Sequence, residues 1–287
     1  MIQARIAGLP VQLDGGDQHF FAERLRQYEA TIAKPELFLN LSRVAEITVP
    51  EGEEILRHGG LVLVRSPKGE LCRYTIGNKT GRILQIYHFS PDHSRLEYTL
   101  LESRTHPGLT LTDFEYMCTG EAFANRLAYL GGLVMHGSAI SYKGKGIVFS
   151  APSGTGKSTH AGLWKRYYGE CVVHINDDKP AIRFYDGVPF VYGTPWSGKT
   201  DTNSNNSAPL KAIVFLKQAS ENRIQPLSVA EALEHIYRET VRPFYDEALG
   251  MKVLDTAERL IQSVPVFLLE CTISSEAVEL VKNTMHW

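Results

Sequence analysis

The sequence predicts an α/β fold in two parts: a β-rich first part, then a second part built on a mixed sheet. Three observations predict it. The stretch Ala151-Pro152-Ser153-Gly154-Thr155-Gly156-Lys157-Ser158-Thr159 stands between an apolar run, Gly146 to Ser150, and a helical pattern from Lys157 to about Tyr168. A Lys143-Gly144-Lys145-Gly146 turn precedes that run, so the segment Leu133 to Tyr142 must be its antiparallel neighbour. Upstream, short strand-like runs alternate with turn residues, the pattern of an antiparallel sheet.

Taken in order, Ile2 to Ile6 alternates apolar and polar residues and reads as a strand. Asp17 to Ala33 reads as a helix, with Phe20, Phe21, Leu25, Tyr28 and Ile32 at near-helical spacing. Leu61 to Val64, Cys72 to Ile76, Arg82 to Tyr87 and Arg95 to Leu100 read as strands. Between them lie a Ser66-Pro67-Lys68-Gly69 turn and others containing Gly77-Asn78 and Pro91-Asp92. Thr112-Asp113-Phe114-Glu115 fits a capping box that opens a helix, with Phe114, Met117, Cys118, Leu127 and Leu130 as its apolar face. The domain boundary is expected here, giving 1–112 as a β-rich N-terminal domain for acceptor recognition and 113–287 as the second domain.

Beyond the Lys157 helix, Cys171 to Asn176 reads as a strand ending in Asp177-Asp178, and Ala181 to Tyr192 as a hairpin turning at Asp186-Gly187. Leu210 to Leu216 and Val266 to Glu270 read as buried strands. Helices are expected over Ser228 to Thr240, Asp246 to Ser263 and Ser275 to Met285.

Composition sets the class. The 287 residues carry a formal net charge of −2, with 43% hydrophobic and 22% charged residues, the balance of an ordinary globular chain. A near-neutral chain argues against broad electrostatic binding to nucleic acid or to an anionic membrane. No apolar run approaches the roughly 20 residues that span a bilayer, and the first residues lack the apolar core of a signal peptide. The four cysteines are widely spaced, so neither a disulfide scaffold nor a zinc site is expected; Cys118, Cys171 and Cys271 read as buried thiols. The expected location is the cytoplasm.

The Ala151–Thr159 stretch carries the chemistry. Strand, glycine-bearing loop and helix together aim backbone N–H groups at an anion. Lys157 would reach the outer phosphates of a nucleoside triphosphate, and the Ser158 hydroxyl would face Mg²⁺. The first glycine of the usual pattern is Ala151 here, which still permits close approach if its φ stays negative. Asp177 and Asp178 end a strand downstream, where one carboxylate can serve a metal while the other accepts a proton from an attacking hydroxyl. His136 precedes the loop strand by one short hairpin, so its imidazole could lie beside the phosphates; the alternative is a satisfied core histidine. Lys199, in the Gly/Pro-punctuated segment Thr194 to Lys199, could cover a transferred phosphoryl group; the alternative is a solvated surface lysine. Asn203 and Asn205 are weaker candidates for hydrogen bonds to a nucleotide or an acceptor, and Arg242, just before Pro243, reads more simply as a helix-end arginine than as a phosphate clamp. His160 is expected to point away from the nucleotide or toward the acceptor, whereas His235 and His286 read as surface or packing residues.

His136-Gly137, the glycine-turn hairpin, the Ser153–Thr159 loop and Asn176-Asp177-Asp178, in that order, resemble the HPr kinase/phosphorylase family. The resemblance runs from about Leu133 to Arg183, with a weaker continuation to the C-terminus. The loop is also similar to that of ATP-dependent phosphoenolpyruvate carboxykinases, which share the nucleotide-binding core. The resemblance implies a phosphate-loop kinase core of that type, using ATP and Mg²⁺. It implies that Lys157 and Ser158 bind the phosphates and Mg²⁺ and that Asp178 supports the metal; Ser153, Gly154, Thr155, Gly156 and Thr159 complete the nucleotide-binding loop, with Lys199, read from its own segment, as a further candidate for the nucleotide. It further implies that Asp177 acts as acid/base, with Lys157 and His136 at the transfer centre. Thr159 stands where HPr kinases usually carry Glu, and the family's glycine-rich signature after the aspartate strand is replaced by Tyr192 to Lys199. The implied activity is phosphorylation of a hydroxyl, most simply a serine, on a protein, peptide or small molecule, by a chain that could assemble as a homo-oligomer. The rival readings are a non-catalytic ATP/ADP-binding regulatory module and a phosphoserine phosphorylase.

Overall fold

A computed structural model describes residues 1–198 and 201–287. It is a mixed α/β protein with two mixed sheets, and it divides into two compact units, Met1–Tyr129 and Leu130–Trp287.

The first unit contains strands β1 (Ile2–Ile6), β2 (Leu9–Gly15), β3 (Leu37–Val44), β4 (Glu53–His58), β5 (Leu61–Arg65), β6 (Leu71–Ile76), β7 (Ile83–Phe89) and β8 (Arg95–Leu101), with helices α1 (Gln18–Leu25) and α2 (Leu111–Tyr129). The sheet order is β1-β2-β3-β8-β7-β6-β5-β4. It is antiparallel except where β3 runs parallel to both β2 and β8. Strands β2, β3 and β4 were not among the elements expected from periodicity.

The helix expected over Asp17 to Ala33 stops at Leu25 and continues only as one 3₁₀ turn, Arg26–Tyr28. Competition from β1 ends it. The Ala30 amide donates to the Gln3 carbonyl, and the Ile32 amide to Oε1 of Gln3, so these amides leave the helical ladder. The capping box also shifts. Thr110 and Asp113 exchange the reciprocal bonds, with Asp113 N–H donating to Thr110 Oγ1 at 3.1 Å and Thr110 N–H to Asp113 Oδ2 at 2.7 Å. Glu115 is instead fully buried and takes a bidentate ion pair from Arg43 at 2.7 and 2.8 Å. Met117 and Leu130, expected on the apolar face, are exposed.

Helix α2 falls within the first unit, so the units part at 129/130 rather than at 112/113. Three arginine anchors hold it there. Besides Arg43 on Glu115, Arg73 pairs with Glu121 at 2.6 Å, and Arg126 donates to the carbonyls of Glu36 and Asp92.

The second unit contains β9 (Leu133–Val134), β10 (Gly137–Tyr142), β11 (Lys145–Ser150), α3 (Lys157–Tyr168), β12 (Val172–Asp178), β13 (Ala181–Tyr185), β14 (Val188–Tyr192), β15 (Ser207–Gln218), β16 (Arg223–Pro226), α4 (Val229–Glu239), α5 (Glu247–Ser263), β17 (Val266–Cys271) and α6 (Ser275–Thr284). The main sheet path is β12-β10-β11-β15-β14-β13-β9, with β17 on β15 and β16 on β17. β10 and β11 are antiparallel neighbours, as the short turn requires. Lys143 and Gly144 both take left-handed backbone, with φ of 49° and 79°, and so do Asp186 and Gly187 in the β13–β14 turn.

β10 is also antiparallel to β12, while β15 runs parallel to β11 and β17 parallel to β15. The C-terminal ends of β12, β11, β15 and β17 therefore lie along one edge of the sheet. That edge is where open α/β sheets bind ligands. A core of Phe149, Trp164, Val214 and Leu269 locks α3 and the strands together, each side chain contributing about 1.5–3 kcal/mol when fully buried. Cys171 lies outside this core: it sits in the turn before β12 and is exposed, whereas Cys118 is buried and Cys271 half-buried.

Candidate functional site

Two irregularities at one sheet edge build the site. The long strand expected from Leu133 to Tyr142 breaks at His136, between β9 and β10. The His136 amide leaves the sheet and donates to the Glu239 carbonyl at 2.7 Å. Opposite, β12 ends with Asp178 at a φ of 133°, a conformation that costs a side-chain-bearing residue about 1–3 kcal/mol. In the β10–β12 register Ser138 faces Asp177 and Gly137 faces Asp178.

The loop after β11 runs from Ala151 to Gly156. Gly154 and Gly156 have φ of 81° and 109°, and a Cβ on either would meet nothing within 4 Å. They are needed for backbone conformation, in open space above the loop. Gly156 caps α3 without any side-chain hydrogen bond, which leaves the first amides of the helix available to an anion. Ser153, Gly154, Ser158 and Thr159 are exposed, and Thr155 is half-exposed. Thr155 Oγ1 donates to the Pro152 carbonyl, which tightens the loop. Lys157 is buried, and its amine donates to the carbonyls of Ala151 at 2.8 Å and Pro152 at 3.2 Å. Burial lowers its pKa, against the pull of Glu239, Asp178 and Asp177.

The two aspartates divide. Asp177, 7% exposed, accepts on Oδ1 from Ser138 Oγ at 2.6 Å and from Ser158 Oγ at 2.8 Å. Asp178 sits between Lys179 Nζ at 2.5 Å and His136 Nε2 at 3.5 Å. Nδ1 of His136 lies 3.2 Å from Oε2 of the buried Glu239, which as a carboxylate can only accept. Glu239 thus orients the ring that meets Asp178.

A third layer holds the strand end. The fully buried Asn176 donates through Nδ2 to the Thr194 carbonyl at 2.8 Å and accepts from the Lys179 amide at 2.7 Å. The Asp177 amide donates to the Thr202 carbonyl at 2.9 Å. A Cβ on Gly198 would stand 3.0 Å from the Asp178 Cβ, so this loop is packed against the carboxylate.

His136, Lys157, Ser158, Asp177 and Asp178 are therefore brought together. Lys199 lies outside the described residues. Asn203 binds within its own loop, Nδ2 donating to Ser197 Oγ at 2.8 Å. Arg242 stacks over the Tyr237 ring, 3.7 Å from its centroid, with Nε buried and lacking a hydrogen-bond partner among the described residues. His160 is a core residue. It packs edge-on to Phe149 and accepts from Trp164 Nε1 at 3.4 Å, and burial drops its pKa to about 4. His235 packs on Phe215.

Sequence reasoning missed Ser138, Lys179, Asn176 and Glu239 as site residues. Lys179 directly follows the aspartates, and Ser138 lies two residues from His136, so both had a local signal. Glu239 stands 103 residues from His136 and had none.

Chemically, the edge offers an anion cradle, an oxygen pair at Ser158 and Asp177, and a carboxylate held by an oriented imidazole and an amine. No group of three or more His, Cys, Asp or Glu able to hold a metal occurs among the described residues. No described helix is long and apolar enough to cross a membrane.

Among solved structures, the chain is similar to the HPr(Ser) kinase/phosphatase from Coxiella burnetii, at 11% identity and a TM-score of 0.29, over 53% of this chain and 87% of that one. No curated protein matches it. The family model described as SynChlorMet cassette protein ScmC matches residues 117–286, and the chain belongs to that family.

Proposed function

We propose that the protein is an ATP- and Mg²⁺-dependent kinase that transfers the γ-phosphoryl group to a hydroxyl on a protein, peptide or small molecule. One observation carries this reading. Asp177 accepts from Ser158 at the start of the loop helix, while Asp178, one residue on, faces the His136–Glu239 pair. A mere binding loop requires no second, separately oriented carboxylate.

The loop amides and Lys157 would hold the phosphates. Ser158 and Asp177 fit a hard divalent cation, being an oxygen-only pair on one wall whose remaining positions suit phosphate oxygens and water. A cation bound there would neutralise phosphate charge.

The carboxylate roles are exchanged relative to those the HPr kinase resemblance implies. Asp177 is committed to two hydroxyl protons and to the cation wall. Asp178 is the better proton acceptor for the incoming hydroxyl, with Lys179 and His136 positioning it. As the acceptor O–P bond forms, the hydroxyl proton passes to Asp178 and the bond to the β–γ bridging oxygen breaks. Most of the rate would come from positioning and charge.

The test uses γ-labelled ATP, Mg²⁺ and a panel of serine-containing peptides, proteins and free serine. Label should reach a hydroxyl with the unaltered protein. Asp178→Asn should lose transfer by about 10²- to 10⁴-fold while still binding ATP, the usual contribution of a general base. Full transfer by Asp178→Asn would overturn the assignment, and tight ATP binding without transfer to any hydroxyl would favour a regulatory module.

A further inference from the structure

Asp178 carries a backbone strain that its own side-chain contacts do not maintain. Its φ of 133° lies outside the range that residues with a Cβ readily adopt, and such a conformation persists only where the surroundings over-determine it. The partners of its carboxylate, Lys179 Nζ and His136 Nε2, belong to partly exposed side chains that are able to follow it to another backbone geometry. The restraint has to come from the neighbouring backbone.

Both backbone polar groups of the next residue are taken by buried side chains. The Lys179 amide donates to Oδ1 of Asn176 at 2.7 Å, and the Lys179 carbonyl accepts from Thr194 Oγ1 at 2.8 Å. The two side chains belong to one network, because Asn176 Nδ2 donates to the Thr194 carbonyl at 2.8 Å. Asn176 and Thr194 are fully buried, where a lost hydrogen bond is costly to leave unmade. One residue further on, the Pro180 carbonyl accepts from the Met135 amide at 3.1 Å. The chain after Asp178 is pinned at three points.

Thr194 is itself held in place. A Cβ on Gly193, the residue before it, would fall 1.8 Å from the Ser204 carbonyl oxygen and 2.7 Å from that of Ile175. The Ser204 amide donates to that same Ile175 carbonyl at 3.0 Å. Gly193 and Ser204 are thus packed directly on β12, and Thr194 follows from a fixed base. We infer that Thr194 is a positioning residue for the transfer: with Asn176 it clamps the Lys179 backbone, and the clamp keeps Asp178 in its strained conformation with the carboxylate toward His136. The inference rests on the kinase reading above for what the carboxylate does, but not for the clamp itself.

The test has two arms, both on the full chain. The first is thermal unfolding without nucleotide. Asp178→Ala removes the carboxylate and keeps the Cβ that makes the backbone strained, whereas Asp178→Gly removes both. Asp178→Gly should melt about 2–10 °C above Asp178→Ala, the reverse of the usual order. In a Thr194→Val background, which keeps the shape and removes the hydroxyl, that gap should close to about 1 °C or reverse. Absence of the gap in the otherwise unaltered chain, or an unchanged gap with Thr194→Val, would overturn the clamp whatever the protein's activity. The second arm is transfer from γ-labelled ATP. Thr194→Val should lower kcat by about 10- to 100-fold and leave the KM for ATP within about twofold, while Thr194→Ser, which retains the hydroxyl, should keep kcat within about threefold. Full kcat in Thr194→Val, or an equal loss in Thr194→Ser, would overturn the positioning role. No transfer to any hydroxyl by the unaltered protein would remove the kinase reading and the positioning role with it, and the clamp would then stand or fall on the first arm.

Discussion

Asp177→Asn is the most informative single change, because it separates the two carboxylates. Oδ1 of Asp177 accepts from Ser138 at 2.6 Å and Ser158 at 2.8 Å in a nearly buried position. A hydrogen bond to a charged group contributes about 1.5–3 kcal/mol and a neutral one about 0.5–1.5 kcal/mol. Removing the charge and keeping the shape therefore costs about 1–1.5 kcal/mol per bond, or about 2–3 kcal/mol for the pair. In a domain of this size that lowers the melting midpoint by about 5–10 °C. Asp178→Asn is the control. Its partners Lys179 and His136 are partly exposed, and such pairs contribute about 0–1 kcal/mol, so its midpoint should move little. The assay is thermal unfolding of both variants without nucleotide, followed by ATP titration with and without Mg²⁺. Asp177→Asn should lose the Mg²⁺ dependence of ATP affinity, and Asp178→Asn should keep it. The reverse pattern, with Asp178→Asn unstable and indifferent to Mg²⁺, would refute the assignment of roles.

Further outcomes follow from the same geometry. His160 has a folded pKa of about 4 against an ordinary 6.5, so its neutral form is compatible with the fold and stability is full above pH 6.5. As pH falls from 6.5 toward 4 the unfolded chain takes up the proton first, and about 2 kcal/mol should be lost between pH 7 and 5; urea unfolding of His160→Phe should lack that share of the slope. Glu239→Gln should reduce kcat on the order of 10- to 100-fold with little change in ATP affinity, and an unaltered kcat would show that His136 does not orient the reacting carboxylate. Gly198→Ala puts a methyl group 3.0 Å from the Asp178 Cβ on left-handed backbone; kcat should fall while the KM for ATP holds, whereas a matching rise in KM would place the fault in the loop.

Local pattern made much of the second unit legible. The tight turns at Lys143-Gly144 and Asp186-Gly187 need left-handed backbone, and residues suited to it stand there. The loop glycines are likewise dictated by backbone, as their φ values show. The first unit was harder. β2 and β3 form partly through parallel pairing, which periodicity does not reveal, and β4 is exposed except at the half-buried Leu56 and so has no buried apolar face. Glu115 looked like a capping residue because its spacing from Thr112 is right, yet burial against Arg43 outweighs a cap worth about 1 kcal/mol.

The sequence by itself determined that a strand, a glycine-bearing loop and a helix follow one another, and that two carboxylates end a nearby strand. These are short-range facts, set by turn chemistry and apolar spacing. Only the tertiary structure decided which aspartate meets Ser158, because that depends on the β10–β12 register, and a one-residue slip would exchange the two side chains. It also brought Glu239, at the end of α4, to His136, joining residues that share no local signal.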